Sequence, residues 1–180
     1  MRAAVFKSAS LVLATLFAST GLSAKDYDIK KGPGNKVEWI AVGNPGVVKI
    51  NGTGGWVEGK ASDNAGMLSG EFSCQMDAFD TDMETRNKHM KEKYLEVSKF
   101  PISKLKLDPV KMSESGADFS GDLTIKGVTK KVSGKLAVKA GKVSASFKME
   151  MGKYPIGVPS WLGVTVAKDV DVVVEFPLGG

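Results

Sequence analysis

A period-two alternation of apolar and polar residues in the C-terminal half constrains the fold of this sequence most strongly. In residues 119–125, 132–138 and 143–151, apolar or small side chains occupy every second position and polar side chains mostly fill the positions between. Successive side chains of a strand point to opposite faces of a sheet, so each run predicts a strand with one dry and one wet face. Short glycine-containing turns separate the runs, which predicts an antiparallel meander.

Similar but shorter patterns predict further strands along the chain. The segment 46–62 is expected to hold two short strands, broken by the glycine-rich bend at 52–55. The other predicted strands lie near Tyr27 to Lys30 and at 36–42, 66–76, 103–112 and 170–176. All of them alternate, so we count eight or more strands with one buried face each.

These strands must cover their apolar faces. The sequence has no room for a second sheet and offers at most one substantial helix. Closing the sheet on itself buries the apolar face and removes both edges. We therefore predict an all-β fold, a single antiparallel β-barrel of about eight strands with one short helix at about 82–95. A two-layer sandwich is the alternative, which the alternation alone does not exclude.

The N-terminus has the pattern of a secretory signal peptide. Arg2 and Lys7 precede a short apolar run, and small residues follow it up to Ala24. We predict cleavage after Ala24, which leaves residues 25–180 as one exported domain of the periplasm. Removing residues 1–24 takes away two positive charges and no acidic residue, so the formal net charge falls from +5 to +3. This mild excess does not predict nucleic-acid binding, which needs a clustered basic patch.

The charged stretch TDMETRNKHMKEKYL (81–95) predicts the helix. Thr81 followed by Glu84 is typical of a capping box. Met83, Met90 and Tyr94 form a narrow apolar stripe, whereas the other faces are charged. A helix joining two strands of a barrel lies across its side or its mouth, so we expect the Met-lined edge to serve packing or flexible ligand contact.

Neither His89 nor Cys74 predicts a catalytic or metal centre. His89 is the only histidine, and a metal site needs three or four ligands. No nucleophile motif accompanies it, so we assign it a structural or hydrogen-bonding role, with Arg86 on nearly the same helix face. Cys74 is the only cysteine, and we expect a buried, inert thiol rather than a redox or nucleophilic group. Trp161, in a Pro/Gly-rich loop, is read either as a plug over one end of the core or as a ligand contact.

Three segments resemble the YceI-like family. They are GDLTIKGVTKKV (121–132), DTDMETRNKHMKEKYLEVSKFP (80–101) and YPIGVPSWLGVTVAKDVDVVVE (154–175). Members of that family are exported bacterial proteins with a lipocalin-like antiparallel barrel that holds a long isoprenoid or another amphiphilic lipid. Two positions depart from the family pattern, since Asn87 stands where an acidic residue is usual and Lys131 where proline is usual.

The resemblance and the alternation together predict a non-enzymatic binding protein for transport, storage or stress protection. Its ligand would be an isoprenoid, a quinone-like molecule or a fatty lipid, and no cofactor is expected. Small inward residues such as Gly70, Gly121 and Gly134 favour space inside the barrel. The candidate ligand-binding residues are Leu68, Phe72, Met76, Met83, Arg86, His89, Met90, Phe119, Leu123, Ile125, Phe147, Met149, Trp161, Val172 and Val174.

Two other functions stay open at the level of sequence. One is a stress-linked periplasmic interaction protein with a filled barrel and no ligand. The other is an enzyme that uses His89 and a carboxylate on a lipid-like substrate, although the sequence shows no catalytic constellation. The sequence also leaves open a transient contact with a membrane or a membrane protein, and a homodimer.

Overall fold

The computed structural model describes residues 24–44, 48–161 and 164–179. Apart from Ala24, the predicted signal peptide lies outside the described residues. The strands are β1 Lys25–Ile29, β2 Lys36–Asn44, β3 Lys49–Gly55, β4 Val57–Asn64, β5 Met67–Gln75, β6 Ile102–Lys111, β7 Ala117–Ile125, β8 Val128–Lys139, β9 Lys142–Glu150, β10 Ser160–Trp161 and β11 Val164–Pro177. Helix α1 spans Glu84–His89 and continues as a π-helical segment, Met90–Tyr94. Single 3₁₀ turns occur at Met76–Ala78 and Met151–Lys153.

These strands form one antiparallel sheet that curls into a half-barrel. The order across the sheet is β1-β4-β5-β6-β7-β8-β9-β11-β2-β3, and β10 pairs with β11. The predicted lipocalin-like all-β fold is therefore confirmed. The two strands predicted in 46–62 are present as β3 and β4, which meet at Trp56. The described residues contain eleven strands, and the two-residue strand β10 is one that no alternation could reveal.

The predicted meander is present as β7, β8 and β9. Phe119, Leu123 and Ile125 are buried on one face of β7, and the intervening residues are more exposed. The hairpins turn through two residues, at Lys126–Gly127 and Ala140–Gly141, with positive φ at both positions. That conformation is the type I′ turn, whose twist matches the twist of the flanking strands.

The glycines on the inner faces do not leave empty space. A Cβ on Gly134 would lie 2.1 Å from the carbonyl oxygen of Ser146 and 3.0 Å from the ring of Phe119. A Cβ on Gly121 would lie 2.7 Å from the carbonyl oxygen of Lys106. The glycines let neighbouring strands and an aromatic ring approach closely. The prediction that these glycines provide space inside the barrel was therefore wrong.

The helix is shorter than predicted and begins differently. Its N-cap residue is Met83, whose side chain makes no capping hydrogen bond. The predicted capping box of Thr81 and Glu84 is therefore wrong. Asp82 has φ +56, and Thr81 donates from both its backbone N–H and its hydroxyl to Oδ1 of Asn87, at 2.8 and 2.7 Å. Asn87, a residue of the helix, thus fixes the position of the segment that leads into it.

Asn35 closes the sheet where the chain passes directly from β3 into β4. Its Nδ2 donates to the carbonyl oxygens of Lys30 and Val57, both at 2.7 Å, and its Oδ1 accepts from the N–H of Val57 at 2.8 Å. The residue is 9% exposed. One side-chain amide therefore joins the end of β1 to the start of β4, immediately before β2 begins. Lys31 adds a cation–π contact to this junction, with its Nζ 3.8 Å from the ring centroid of Trp56.

We expect Asn35→Ala to lower the free energy of unfolding by about 2–4 kcal/mol, because buried backbone groups of Val57 and Lys30 lose their partners. Asn35→Asp should also destabilise the protein, since a carboxylate accepts from Val57 but repels both carbonyl oxygens. Urea unfolding followed by circular dichroism measures both effects. Asn51→Ala, at an exposed position of β3, is the matched control. Equal stability of Asn35→Ala and this control would contradict the closing role.

Candidate ligand-binding cavity

The curled sheet encloses a cavity of about 720 Å³. This volume lies within the range usual for pockets that hold small-molecule ligands. Apolar side chains from the inner faces of the strands form most of its wall, and the helical segment forms one part of its rim. Because the wall is curved and largely apolar, the cavity suits an elongated apolar molecule.

Aromatic pairs stiffen this wall. Trp39 and Phe79 meet edge to face, with ring centroids 6.2 Å apart and an interplanar angle of 87°. Phe119 and Phe147 pack in the same way at 6.1 Å, and Phe72 packs against Phe176 at 5.2 Å. Such pairs contribute about 0.5–1.5 kcal/mol each beyond their burial, so they stabilise the packing of the cavity wall.

The structure brings most of the sequence-predicted ligand residues together around this cavity. Those that line it are Phe72, Met76, Met83, Arg86, His89, Met90, Phe119, Leu123, Ile125, Phe147, Met149, Val172 and Val174. Leu68 does not line it. This fully buried side chain lies near the start of β5 and packs into the core. Trp161 lies in β10, and its side chain is outside the part of the chain that the structure describes.

Sequence reasoning missed several lining residues. Trp39 belongs to β2, whose apolar residues occur on both faces, so the alternation gave no inward face to choose. Ile50 is the one apolar residue of β3 apart from glycines, which is too few to define a face. Phe79 follows the 3₁₀ turn after β5, where a period-two pattern has no meaning. Tyr94 was recognised on the helix stripe, but its contact with the cavity was not predicted.

The helix contributes the polar part of the rim. Arg86, half-buried, donates from Nη1 to the carbonyl oxygen of Thr81 at 3.3 Å, and its Nη2 lies 3.5 Å from Sδ of Met83. His89 is exposed and lines the cavity on the same helix. Asn87 fixes the helix on its outer side, because its Nδ2 donates to Oδ1 of Asp80 at 2.6 Å. The backbone N–H of Asp82 donates to the same Asp80 oxygen.

Cys74 lies on the cavity wall and is half-buried, so it is less enclosed than predicted. Burial raises the pKa of its thiol to about 12. The thiol is therefore protonated at neutral pH, and a protonated thiol is a poor nucleophile.

Lys126 fastens the end of the helical segment to two other parts of the molecule. From the β7–β8 turn, its Nζ donates to the carbonyl oxygens of Tyr94 at 3.1 Å and Pro155 at 2.8 Å, and it forms an ion pair with Glu96. Only 6% of its side chain is exposed. The hydrogen bond from Lys126, followed by that from Lys99, lowers the pKa of Glu96. We call this set of contacts the Lys126 latch.

Within the described residues, no group of three or more His, Cys, Asp or Glu side chains is placed to hold a metal ion. No helix of the described part is both long and apolar enough to cross a bilayer.

The sequence model of the YceI-like domain matches residues 35–178. BcnA of Burkholderia cenocepacia has a similar solved structure, with 17% identity and a TM-score of 0.60 over 78% of this chain and 94% of that chain. A polyisoprenoid binding domain from Saccharophagus degradans, implicated in plant cell wall breakdown, gives 11% identity and a TM-score of 0.59 over 84% and 98%. At these identities the two structures support the fold alone. No curated protein matches the chain.

We expect Lys126→Met to loosen the latch. Two carbonyl oxygens and the Glu96 carboxylate lose a nearly buried partner, so the melting temperature should fall and amide exchange should increase in 90–100 and 151–156. Hydrogen–deuterium exchange measured by mass spectrometry tests this. Lys130→Met, at an exposed position of β8, is the control. Unchanged protection in both segments would argue against a fastening role.

The latch should also make stability depend on pH. Because the folded-state pKa of Glu96 is lowered, its contribution is complete above the ordinary pKa of a glutamate and is lost as the pH falls through the lowered value. Wild type should therefore lose more stability than Lys126→Met on acidification across that window. Parallel slopes of melting temperature against pH in the two proteins would contradict this.

Proposed function

Because the chain belongs to the YceI-like family, we propose that it is a non-enzymatic carrier that holds one long apolar or amphiphilic molecule inside its barrel. The observation that carries the proposal is the apolar cavity of about 720 Å³, lined by the inner faces of the sheet. The ligand class is an isoprenoid, a quinone-like molecule or a fatty lipid. The likeness to a polyisoprenoid binding domain is consistent with this class.

The energetics of burial support a long tail. Each buried methylene contributes about 0.8 kcal/mol, whereas association costs roughly 4–15 kcal/mol in lost freedom. A tail of about ten or more carbons is therefore needed before binding becomes favourable from burial alone. An apolar cavity also gives water few hydrogen-bond partners, so a lipid tail fills it more favourably than solvent does.

The cavity also separates this function from its alternatives. A filled-barrel interaction protein would leave no such space, so the cavity favours the carrier. For an enzyme, His89 would need a carboxylate beside a bound substrate. No aspartate or glutamate is among the described residues that line the cavity, which favours binding over catalysis.

Native mass spectrometry of the mature protein purified from its own periplasm tests the proposal directly. We expect a mass above that of the polypeptide, and denaturation followed by solvent extraction should release an isoprenoid, a quinone or a fatty amphiphile. A bare polypeptide mass that takes up neither prenyl lipids nor fatty acids would refute the carrier function.

A matched pair of variants shows whether the lipid occupies this cavity. Ala145 lines it, so Ala145→Phe should fill part of the space and lower the amount of co-purified lipid. Ala137 lies on the adjacent strand β8 with the outward set, opposite Ser144. Ala137→Phe adds the same ring outside the barrel and should leave the lipid content unchanged. Equal lipid content in the two folded variants would place the lipid elsewhere.

The proposal includes export to the periplasm by the N-terminal segment. We expect the protein to occur in the periplasmic fraction with Lys25 as its first residue, because Ala24 ends the small-residue stretch of a signal peptide. Intact mass and N-terminal sequencing of the fractionated protein measure this. A full-length protein retained in the cytoplasm would exclude it.

A further inference from the structure

We propose that the polar end of the ligand is an anion, a carboxylate or a phosphate, and that Arg86 binds it at the rim of the cavity with His89 beside it. This inference rests on the proposed carrier function and specifies the chemical class of its ligand. It separates acidic amphiphiles, such as fatty acids and prenyl phosphates, from neutral ones, such as alcohols and quinones.

Among the described residues that line the cavity, the permanently charged side chains are all positive. The chain contains 20 aspartate and glutamate residues, yet none of them is among the described residues that line the cavity. The charged side chains in that set are Arg86 and Lys104, and His89 adds a titratable one. An anion entering the cavity would therefore meet positive charge at the wall.

Lys104 is not the group that faces the cavity interior. It pairs with Thr124 in the β6–β7 ladder, and Leu105, the next residue, pairs with Leu123 on the inner face. Alternation therefore directs Lys104 outward, where it is exposed. Arg86 is the remaining permanent charge, and it lies on the helix that forms one part of the rim.

Arg86 has donors to spare. A guanidinium carries five N–H donors. In the described part of the chain, the Arg86 guanidinium makes a long hydrogen bond to the Thr81 carbonyl oxygen and a contact with the Met83 sulfur. Among the described residues, Arg86 forms no ion pair within 4.0 Å. Asp80, close by in sequence, is already bound by Asn87 and by the N–H of Asp82. A half-buried cation next to apolar surface is stabilised by an anionic partner, and arginine binds carboxylates and phosphates through two parallel hydrogen bonds.

His89 adds a second polar side chain at the same end of the cavity. It lies three residues after Arg86, so the two side chains project from neighbouring positions of one helix face. Both line the cavity, whereas Lys88 between them does not. The polar end of a ligand bound there would lie against the helix, and its tail would extend among the aromatic pairs.

The test compares amphiphiles with matched tails. Delipidated mature protein is titrated with oleate, oleyl alcohol, geranylgeranyl phosphate and geranylgeraniol, and binding is followed by tryptophan fluorescence, to which Trp39 on the cavity wall contributes. We expect each anion to bind about tenfold more tightly than the alcohol with the same tail. Arg86→Gln should remove that difference, because the affinity for the anions falls more than the affinity for the alcohols. Lys88→Gln, on the same helix but away from the cavity, should keep it.

The outcomes distinguish this inference from the proposed function. Equal affinity for anions and alcohols in the wild type would overturn the anionic end but leave the carrier intact. An equal loss for all four ligands in Arg86→Gln would show that Arg86 only supports the helix through Thr81. Binding of none of them would refute the carrier function as well. A preference for one of the two anions would support the inference and identify the head group.

Discussion

The barrel depends on how its sheet is closed. An antiparallel sheet with one apolar face and two free edges is unstable alone in water, and curling it leaves a junction where the hydrogen-bond ladders end. Here the chain crosses that junction without a loop, as β3 becomes β4, and the Asn35 amide supplies the hydrogen bonds that a strand would have supplied. The amide satisfies the N–H and the C=O of Val57 together, so the backbone at this point of the junction is paired. Nε1 of the neighbouring Trp56 is buried and has no hydrogen-bond partner among the described residues. The cavity lies on the inner face of the half-barrel that this junction helps to hold together.

The inner and outer faces then take separate roles. Outside, ion pairs cross from strand to strand, as between Lys148 and Asp171 at 2.5 Å. Nζ of Lys131 lies 3.1 Å from a carboxylate oxygen of Asp108 and 3.1 Å from one of Asp122, so it connects three neighbouring strands. Exposed pairs of this kind each contribute little to stability, but their charges keep the outer surface in water. Among the described residues that line the cavity, the permanently charged side chains are Arg86 at the rim and Lys104, which points outward.

The sequence predicted those parts of the molecule that repeat. In β7 and β9 the period of two identified the inward residues correctly, so the predicted ligand residues of these two strands lie on the cavity wall. Prediction from sequence patterns was wrong where side-chain hydrogen bonds between nearby residues determine the local conformation. Thr81 was taken for a helix cap, but it binds Asn87 instead, and no spacing rule anticipates that contact.

Long-range contacts were equally hidden in the sequence. Asn35 and Val57, or Lys126 and Pro155, are distant along the chain and carry no recognisable motif. Their importance follows only from the fold, which places a turn beside the end of a helix. The aromatic wall residue Trp39 was missed for a related reason, since β2 is apolar on both faces and only its neighbours decide which side is inside.

The position of Cys74 links the chemistry of the chain to what the cavity contains. Its thiol lies on the cavity wall and is protonated at neutral pH. A thiol-specific reagent must therefore enter the barrel, and it can react only with the small thiolate fraction. A bound tail would occupy the space that such a reagent needs. In the proposed carrier, the cargo would shield the only cysteine of the chain from oxidants, and the thiol of a loaded barrel would be oxidised more slowly than that of an empty one.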